Sequence, residues 1–470
     1  MTVFKRQLNT SLIYPMKTKA IILAAGLGKK VWPYGEFRQK CTLPVCNIPI
    51  VRRLSEQLIR IGIEQITIVI GNYGQQVVSV TADLNVNFVT QQSLDGTATA
   101  AYQAITTEPS MEQYVVLAGD LVVTDNDLRR FIQCLGETEA TVLVNRLNKE
   151  DPLNWICAGV NKDQVTGIEG HPRGGNFRLC GIYGFRRSAI EYIRRNPGIA
   201  TPVPVGGMPP VESEISHSIQ LMIDNNRTVR AVMTEDIFVD VDKPWHLLEA
   251  NDRLKHHLVG QIDEDQIAEG AKISDGADIG GRVILGANSK IGKRVVVKGD
   301  LIAGANNNIT NGAILGGSLI IGNQCRVSDY CEVGSSVIGN QCIIGHGAEM
   351  SGVLFDKVYL YHYCEMSGVF GTATDIGAAT VCGTLRFDDG DTAHKVNGRY
   401  EVPTYGANAT YMGEYCRTGV NAIIMPGRKI GSYSVVGAGV ILSEDVPSQT
   451  MITVKQELVK KPWGPSRYGW

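Results

Sequence analysis

VILGANSKIGKRVVVKGDLIAGANNNITNGAILGGSLIIGNQCRV, residues 283–327, carries an aliphatic residue at every sixth position. The series Ile273, Ile279, Leu285, Ile291, Val297, Ala303, Ile309, Leu315, Ile321, Val327 and Val333 runs through it. It slips by one residue, resumes at Ile338, Ile344 and Met350, and returns as Met412, Thr418, Ile424, Ile430, Val436 and Leu442. Neither a helix nor an alternating strand has a period of six. A hexapeptide coil does, because each side of a triangular turn takes six residues and points one aliphatic side chain inward. Glycine and asparagine fill the corners, where tight turns favour positive φ. The expected fold of residues 267–458 is therefore a left-handed parallel β-helix. Such a solenoid needs its open end covered and often self-associates, so a homo-oligomer built through it is expected, a trimer ahead of a larger assembly. Residues 386–408 break the hexad with polar residues and are expected as an inserted loop, either a binding-face excursion or a disordered one.

Upstream the pattern changes. Residues 17–250 alternate short β-branched runs (20–25, 65–70, 86–90, 114–118, 140–144) with amphipathic stretches (51–61, 97–105, 126–135). That alternation predicts a Rossmann-like, doubly wound α/β domain with ligands at the carboxyl ends of its strands. Residues 251–266 read as a linker, 1–16 as an N-terminal arm and 459–470 as a tail.

Composition narrows the partners. Lys+Arg 45 against Asp+Glu 47 in 470 residues gives no bulk electrostatic case for nucleic acid or a membrane surface. No apolar run approaches the roughly 18 residues of a membrane span, and the N-terminus lacks a signal-peptide core, so a cytoplasmic protein is expected. The 11 cysteines are scattered with no CxxC, and several fall within the hexads, as reduced structural thiols would.

The chemistry starts at Gly26-Leu27-Gly28, directly after the first strand and before Lys29 and Lys30. A Walker-type loop is absent, and Val31 stands where a dinucleotide fingerprint needs its third glycine. The exposed amides of a glycine turn, with Lys30 and Lys40 nearby, nevertheless suit phosphate oxygens. Asp120 (in VVLAGD) and Asp240 (in IFVDVD) end predicted strands and could hold Mg²⁺, which takes one or two carboxylates beside phosphate and water.

Leu23-Ala24-Ala25-Gly26-Leu27-Gly28, Lys40 and Leu43-Pro44-Val45 resemble the L-A-A-G-x-G-T-R-M…P-K…L-P-V signature of sugar-1-phosphate nucleotidylyltransferases. QQSLDGTATA resembles the family's nucleotide-base segment, placing Gln91, Gly96 and Thr97 at the nucleotide. LAGD and VDVDKPWHLLEAND place Asp120 and Asp240 on its metal aspartates, and Gly181 lies on its sugar side. The second half is similar to that of the archaeal-type bifunctional uridylyltransferase/acetyltransferases, through GTLRFDDGD, CRTGVNAIIMPGRKIG and VKQEL. The resemblance implies attack of a sugar 1-phosphate on the α-phosphorus of an NTP, UTP or dTTP. Lys30 and Lys40 would be the catalytic cations, Mg²⁺ the cofactor and pyrophosphate the leaving group.

Several positions depart from the pattern. Lys30 replaces an arginine, Gly170-His171-Pro172 replaces Glu-Lys-Pro, Leu179 replaces an asparagine and Asp242 a glycine. In the acetyltransferase half the ungapped alignment puts Tyr361 on the base histidine, with His362 beside it, and Thr384 on an asparagine. His362 and Arg417 are the remaining acetyl-transfer candidates. The alternatives to a working nucleotidylyltransferase are a silent nucleotide-binding subunit and an acyltransferase using the solenoid.

Overall fold

The computed structural model describes residues 17–148, 150–198 and 212–464. The arm 1–16 and the last residues of the tail, 465–470, lie outside them. The first domain is built on a nine-stranded sheet. Four strands, Asn87–Thr90, Gln65–Ile70, Thr18–Ala24 and Gln113–Ala118, lie side by side and parallel. Thr18–Ala24 is central because β-branched and aliphatic residues fill both its faces. Ala20 and Ile22 join the core on one side of the sheet and Ile21 the core on the other. The predicted helices form at Ile50–Ile61, Thr97–Thr106 and Asp125–Gln133.

The other half of the same sheet mixes strand directions. Phe177–Arg186 runs antiparallel to both its neighbours, and Gln164–Gly170 pairs antiparallel with Ile156–Asn161. Phe177–Arg186 escapes a pattern reading because its register shifts between Leu179 and Tyr183. Gly181 sits in that shift at φ 68°, in the left-handed region that favours glycine. A Cβ there would also stand 3.2 Å from Ala118 Cβ.

Residues 251–259, expected as linker, are the second half of the helix Pro244–Val259. Asn251 is buried within it, and its Oδ1 accepts from the Cys46 amide at 2.8 Å. The connection proper is therefore short. The helix lies against the solenoid strands Ile314–Ile321, Glu332–Ile338, Glu349–Leu354 and Glu365–Phe370.

The solenoid forms as the hexads require. Ile273, Ile291, Ile309, Val327 and Ile344 stack in parallel register on one side, and the inward residues make one continuous core. Coils are 18 residues long at Ser289–Asn307, 17 at Asn323–Asn340 and 16 at Asn340–Asp356. The expected slip is thus the first of two shortenings, and after the insertion the coil is 18 residues long again at Arg417–Val435. It occurs where Gly316-Gly317-Ser318, Gly334-Ser335 and Ser351-Gly352 let two sides of the triangle merge into one bent strand. The small residues at that corner admit the helix. Alternation puts Val283 and Leu285 inside the coil and Ile284 outside it. Ile284, Ile302, Ile320, Val337 and Val353 therefore form an outer apolar ladder that shares a core with the first domain.

The cysteines are free thiols, nearly all buried. Those of the coil close its corners. Cys325 Sγ donates to Gly339 O at 2.9 Å, Cys342 Sγ to Phe355 O at 3.0 Å and Cys416 Sγ to Gly431 O at 3.1 Å. The insertion 386–408 is an ordered excursion, with the hairpin His394–Val396 and Arg399–Glu401 folded back on the first domain. Among the described residues no helix is long and apolar enough to cross a membrane.

Candidate functional site

The strand Thr18–Ala24 delivers the glycine turn to the edge of a cleft. Leu23 O accepts from the Gly119 amide at 2.8 Å, tying the turn to the LAGD segment. Ala24 and Ala25 are buried beneath it. Gln39 Nε2 donates to Ala24 O at 2.9 Å, Gly26 O at 3.0 Å and Asn72 O at 3.1 Å, which fixes the carbonyls and leaves the amides facing out. Among the described residues the N–H groups of Gly26, Leu27 and Gly28 meet no acceptor. Gly28 has φ 63°, and a Cβ there would come 3.1 Å from Lys40 Cβ, so glycine is what lets Lys40 lie against the turn.

Lys40 is the centre of the cluster. Its ammonium contacts the Asp120 carboxylate and lies 3.5 Å from Asp242, while Lys30 reaches Asp242 at 3.2 Å. Asp120 and Asp240 are brought together by pairing: Leu121–Val123 runs antiparallel to Phe238–Asp240 with Asp240 opposite Leu121, and the Val241 amide donates to Asp120 O at 3.1 Å. Burial, then the Asp120 charge, push Asp240 up to about 7 against the pull of Lys40. Burial would also raise Asp242, but Lys40, Lys30 and other cations outweigh it and hold this carboxyl well below the usual range. For Lys40 burial works against the charge, and Asp120, Asp242 and Asp240 more than restore it.

Two carboxylates forced together in a partly buried cleft form a donor set suited to a hard divalent cation completed by phosphate and water. The residues present fit Mg²⁺. Among the described residues no group of three or more His, Cys, Asp or Glu side chains is placed to hold a metal ion, so the protein would supply only two ligands.

At the nucleotide-base segment, Gln91 is buried. Its amide donates to Ile70 O at 2.8 Å, and its Nε2 lies 3.5 Å from Gly96 O. Gly96 caps the helix Thr97–Thr106. The Thr97 hydroxyl donates to Glu214 at 2.7 Å and accepts from the Ile215 amide at 2.9 Å, so it is held by protein groups. Burial raises Glu214 despite that hydrogen bond.

The sugar side is altered. His171 is exposed at φ 53°, with Nδ1 2.8 Å from Leu153 O, and Leu179 packs into the sheet core. The charge on this side comes from a residue that sequence reasoning missed. Arg178 is 4% exposed, pairs with Glu150 at 3.2 Å and lies 4.0 Å over the Trp155 ring, with Nε buried and unpartnered. Trp155 stacks on His246 at 6.0 Å. Burial and Lys243 hold His246 down to about 3, and its neutral Nδ1 accepts from the Asp242 amide at 3.2 Å. Gln39 was also missed, although a polar residue where the signature has proline was a legible signal. Arg178 gave none, being an arginine inside an irregular apolar strand.

The acetyl-transfer candidates are not brought together. Tyr361 stacks on Tyr359 at 4.4 Å, and the exposed His362 ring meets Tyr363 edge-on at 5.3 Å. Arg417 stands on a strand in register with Asp375. No hydrogen bond or ion pair joins His362 to Arg417 among the described residues.

The chain is 26% identical over 446 residues to the bifunctional protein GlmU of Methanococcus maripaludis, covering 94% of this chain and 98% of that one. It is 25% identical over 431 residues to a bifunctional sugar-1-phosphate nucleotidylyltransferase/acetyltransferase of Sulfurisphaera tokodaii, covering 91% and 98%. A glucose-1-phosphate thymidylyltransferase of Streptomyces antibioticus is 26% identical over 294 residues, 58% of this chain and 79% of that one. The solved structure of an inositol-1-phosphate CTP transferase from T. maritima overlays 51% of this chain and 96% of that chain at 17% identity, with TM-score 0.44. The Nucleotidyl transferase family model matches residues 19–257, a span that contains the glycine turn, Lys40, Asp120 and Asp240. The chain belongs to the nucleotidyl transferase family.

Proposed function

We propose that the protein joins a nucleoside triphosphate, UTP or dTTP, to a sugar 1-phosphate and releases pyrophosphate. The observation that carries this reading is Lys40, held among Asp120, Asp240 and Asp242 beneath a glycine turn with free amides. In this reaction an oxygen of the sugar phosphate bonds to the α-phosphorus. The α–β bridge breaks, and its electron pair leaves on pyrophosphate. Little covalent work falls to the protein, which supplies position and charge. The turn amides receive phosphate oxygens, Lys40 offsets charge at the α-phosphate, and Lys30 serves the outer phosphates. Asp120 and Asp240 would hold Mg²⁺, which when bound neutralises phosphate oxygens. The relatives' names support a sugar 1-phosphate as acceptor. The preference for UTP or dTTP rests on Ala24-Ala25 and Gln91. We include in the reading a homotrimer built through the solenoid, supported by the exposed corner residues Tyr330 and Tyr363; a single-chain mass by light scattering removes that part.

The test is pyrophosphate release with Mg²⁺ across four NTPs and a panel of sugar 1-phosphates. One responsive pair is expected, and Asp120→Asn should lose it; persistent turnover in that variant removes the metal assignment. A second reading, a nucleotide-binding subunit without turnover, is favoured by the sugar end. There His171 is engaged by Leu153, and Asp242 already partners both lysines. A blank panel with thermal stabilisation by nucleotide would establish it.

A further inference from the structure

A cavity of about 730 Å³ opens between the two domains beside the glycine turn. Lys29, Lys30 and Trp32 line it from the first domain. Lys395 and Asn397 line it from the solenoid's hairpin, and Lys429 from the coil itself. Four ammonium groups thus share one cleft with two carboxylates, Glu36 and Asp445. Glu36 is engaged by the Ser448 hydroxyl, and Asp445 lies 3.5 Å from Lys429. The lining is positive on balance.

The solenoid side of this cavity is built rather than loose. The Lys429 side chain is 3% exposed. Its Nζ donates to Lys395 O at 2.8 Å and stands 5.2 Å from the centre of the Trp32 ring. The hairpin is held at both ends. His394 packs against Trp245 at 5.3 Å and gives a ring nitrogen 2.7 Å from Ala407 O, while Glu401 pairs with Lys243. Lys243 and Trp245 open the long helix, directly after Asp240 and Asp242. Val396 enters the core shared with the first domain. The insertion is therefore fixed to the segment that carries the acidic cluster, with Lys395 exposed on its surface.

We infer that this cavity receives the outer phosphates of the nucleoside triphosphate and holds the pyrophosphate that leaves, with Lys395 and Lys429 as binding residues contributed by the solenoid. The inference rests on the nucleotidyl-transfer reading and deepens it. Lys30 belongs both to the cavity and to the Asp242 pair, so a triphosphate whose α-phosphate meets Lys40 extends past Lys30 into this cleft. When the α–β bridge breaks, the departing group gains negative charge, and the ammonium groups of this lining, the exposed Lys395 first among them, stabilise it. A charge lost in precision with lysine in place of arginine at position 30 is then made up from the second domain.

The experiment is calorimetric titration of pyrophosphate, and separately of the nucleoside monophosphate, into the full chain and into Lys395→Ala. Lys395 is exposed, so this variant keeps the fold; Lys395→Arg is the second variant. A hydrogen bond to a charged group contributes enough that Lys395→Ala should bind pyrophosphate about tenfold more weakly. Monophosphate binding should not change, Lys395→Arg should restore most of the affinity, and pyrophosphate should compete with the NTP. Unchanged pyrophosphate affinity in Lys395→Ala, no pyrophosphate binding by the unaltered chain, or binding that does not compete with NTP each overturns the inference. The two failures separate cleanly. Turnover with an indifferent Lys395 keeps the reaction and removes the cavity's role, whereas weakened pyrophosphate binding in a chain without turnover keeps the cavity and removes the reaction.

Discussion

Both domains have apolar cores, but the first also draws a cluster of charges into a cleft. In the first, an ammonium and three carboxylates are drawn into a cleft, with Lys40 and Asp120 side chains only 17% and 16% exposed. In the second, the coil interior is a dry column in which Leu285, Leu315 and Leu360 are wholly buried. A dry column needs only shape and repeats well. Charge taken out of water is costly unless each member is compensated, so a cluster of this kind marks the place where a chain is built for chemistry. On the proposed reading the working end lies in the first domain, with the solenoid forming one wall of its cleft.

The largest effect expected is on the charged side. Lys40→Ala removes the one cation that all three carboxylates share. Turnover should fall by about 10²–10³-fold, and urea unfolding without divalent ions should show a loss of about 3–5 kcal/mol. A variant with ordinary activity would break the contrast between the domains. On the dry side, Leu315→Ala leaves a cavity in the column and should cost about 2–5 kcal/mol in the same measurement, with KM for the NTP unchanged. Between them, Tyr34→Phe deletes the hydroxyl that donates to Val369 O at 2.7 Å across the domain boundary. A loss of about 0.5–1.5 kcal/mol is expected.

The acidic cluster also predicts a pH signature. Asp240 is raised to about 7, so the stability it contributes is present at low pH and is lost as pH rises from its unfolded value through 7. His246, held down to about 3, acts in the opposite sense and loses stability as pH falls from 6.5. The two offset each other through mildly acidic pH, so the melting temperature of the metal-free chain should be nearly flat there. On the proposed assignment, Mg²⁺ binds the ionised Asp240 carboxylate. Its stabilising increment in a thermal-shift series should therefore grow as pH rises through 7; an increment independent of pH would remove Asp240 from the metal site. The smallest effect is assigned to His362→Ala. The ring is exposed and meets Tyr363 only at its edge, so stability should stay within about 0.5 kcal/mol and pyrophosphate release should not change.

Much of the solenoid was legible because its constraint is local and repeated. Leu285, Ile291 and Val297 all lie inside, six residues apart, and the same rule reached Leu442. In the other half of the first sheet Ala140–Arg146 was legible, but the antiparallel strands around it were not. Of these, Phe177–Arg186 is interrupted at Gly181, and its buried Arg178 reads as a surface residue until Trp155, Phe238 and Glu150 are placed around it. Asp242 was legible only as a departure from a pattern; that it engages Lys30 and Lys40 together follows from the pairing of two strands far apart in the chain.

The sequence by itself determined the coil, the parallel strands and the glycine turn, because each depends on a short period or on a backbone conformation that few residues permit. Only the tertiary structure decided which charges meet. Asp120 and Asp240 come together through one antiparallel pairing. The supposed linker became a helix because the collapsed corner of the coil offered it an apolar ladder. An insertion that reads as a polar loop brought Lys395 to the glycine turn, because His394 and Glu401 found partners on that helix. Electrostatic and packing energies depend on distance in space, and sequence separation does not encode it.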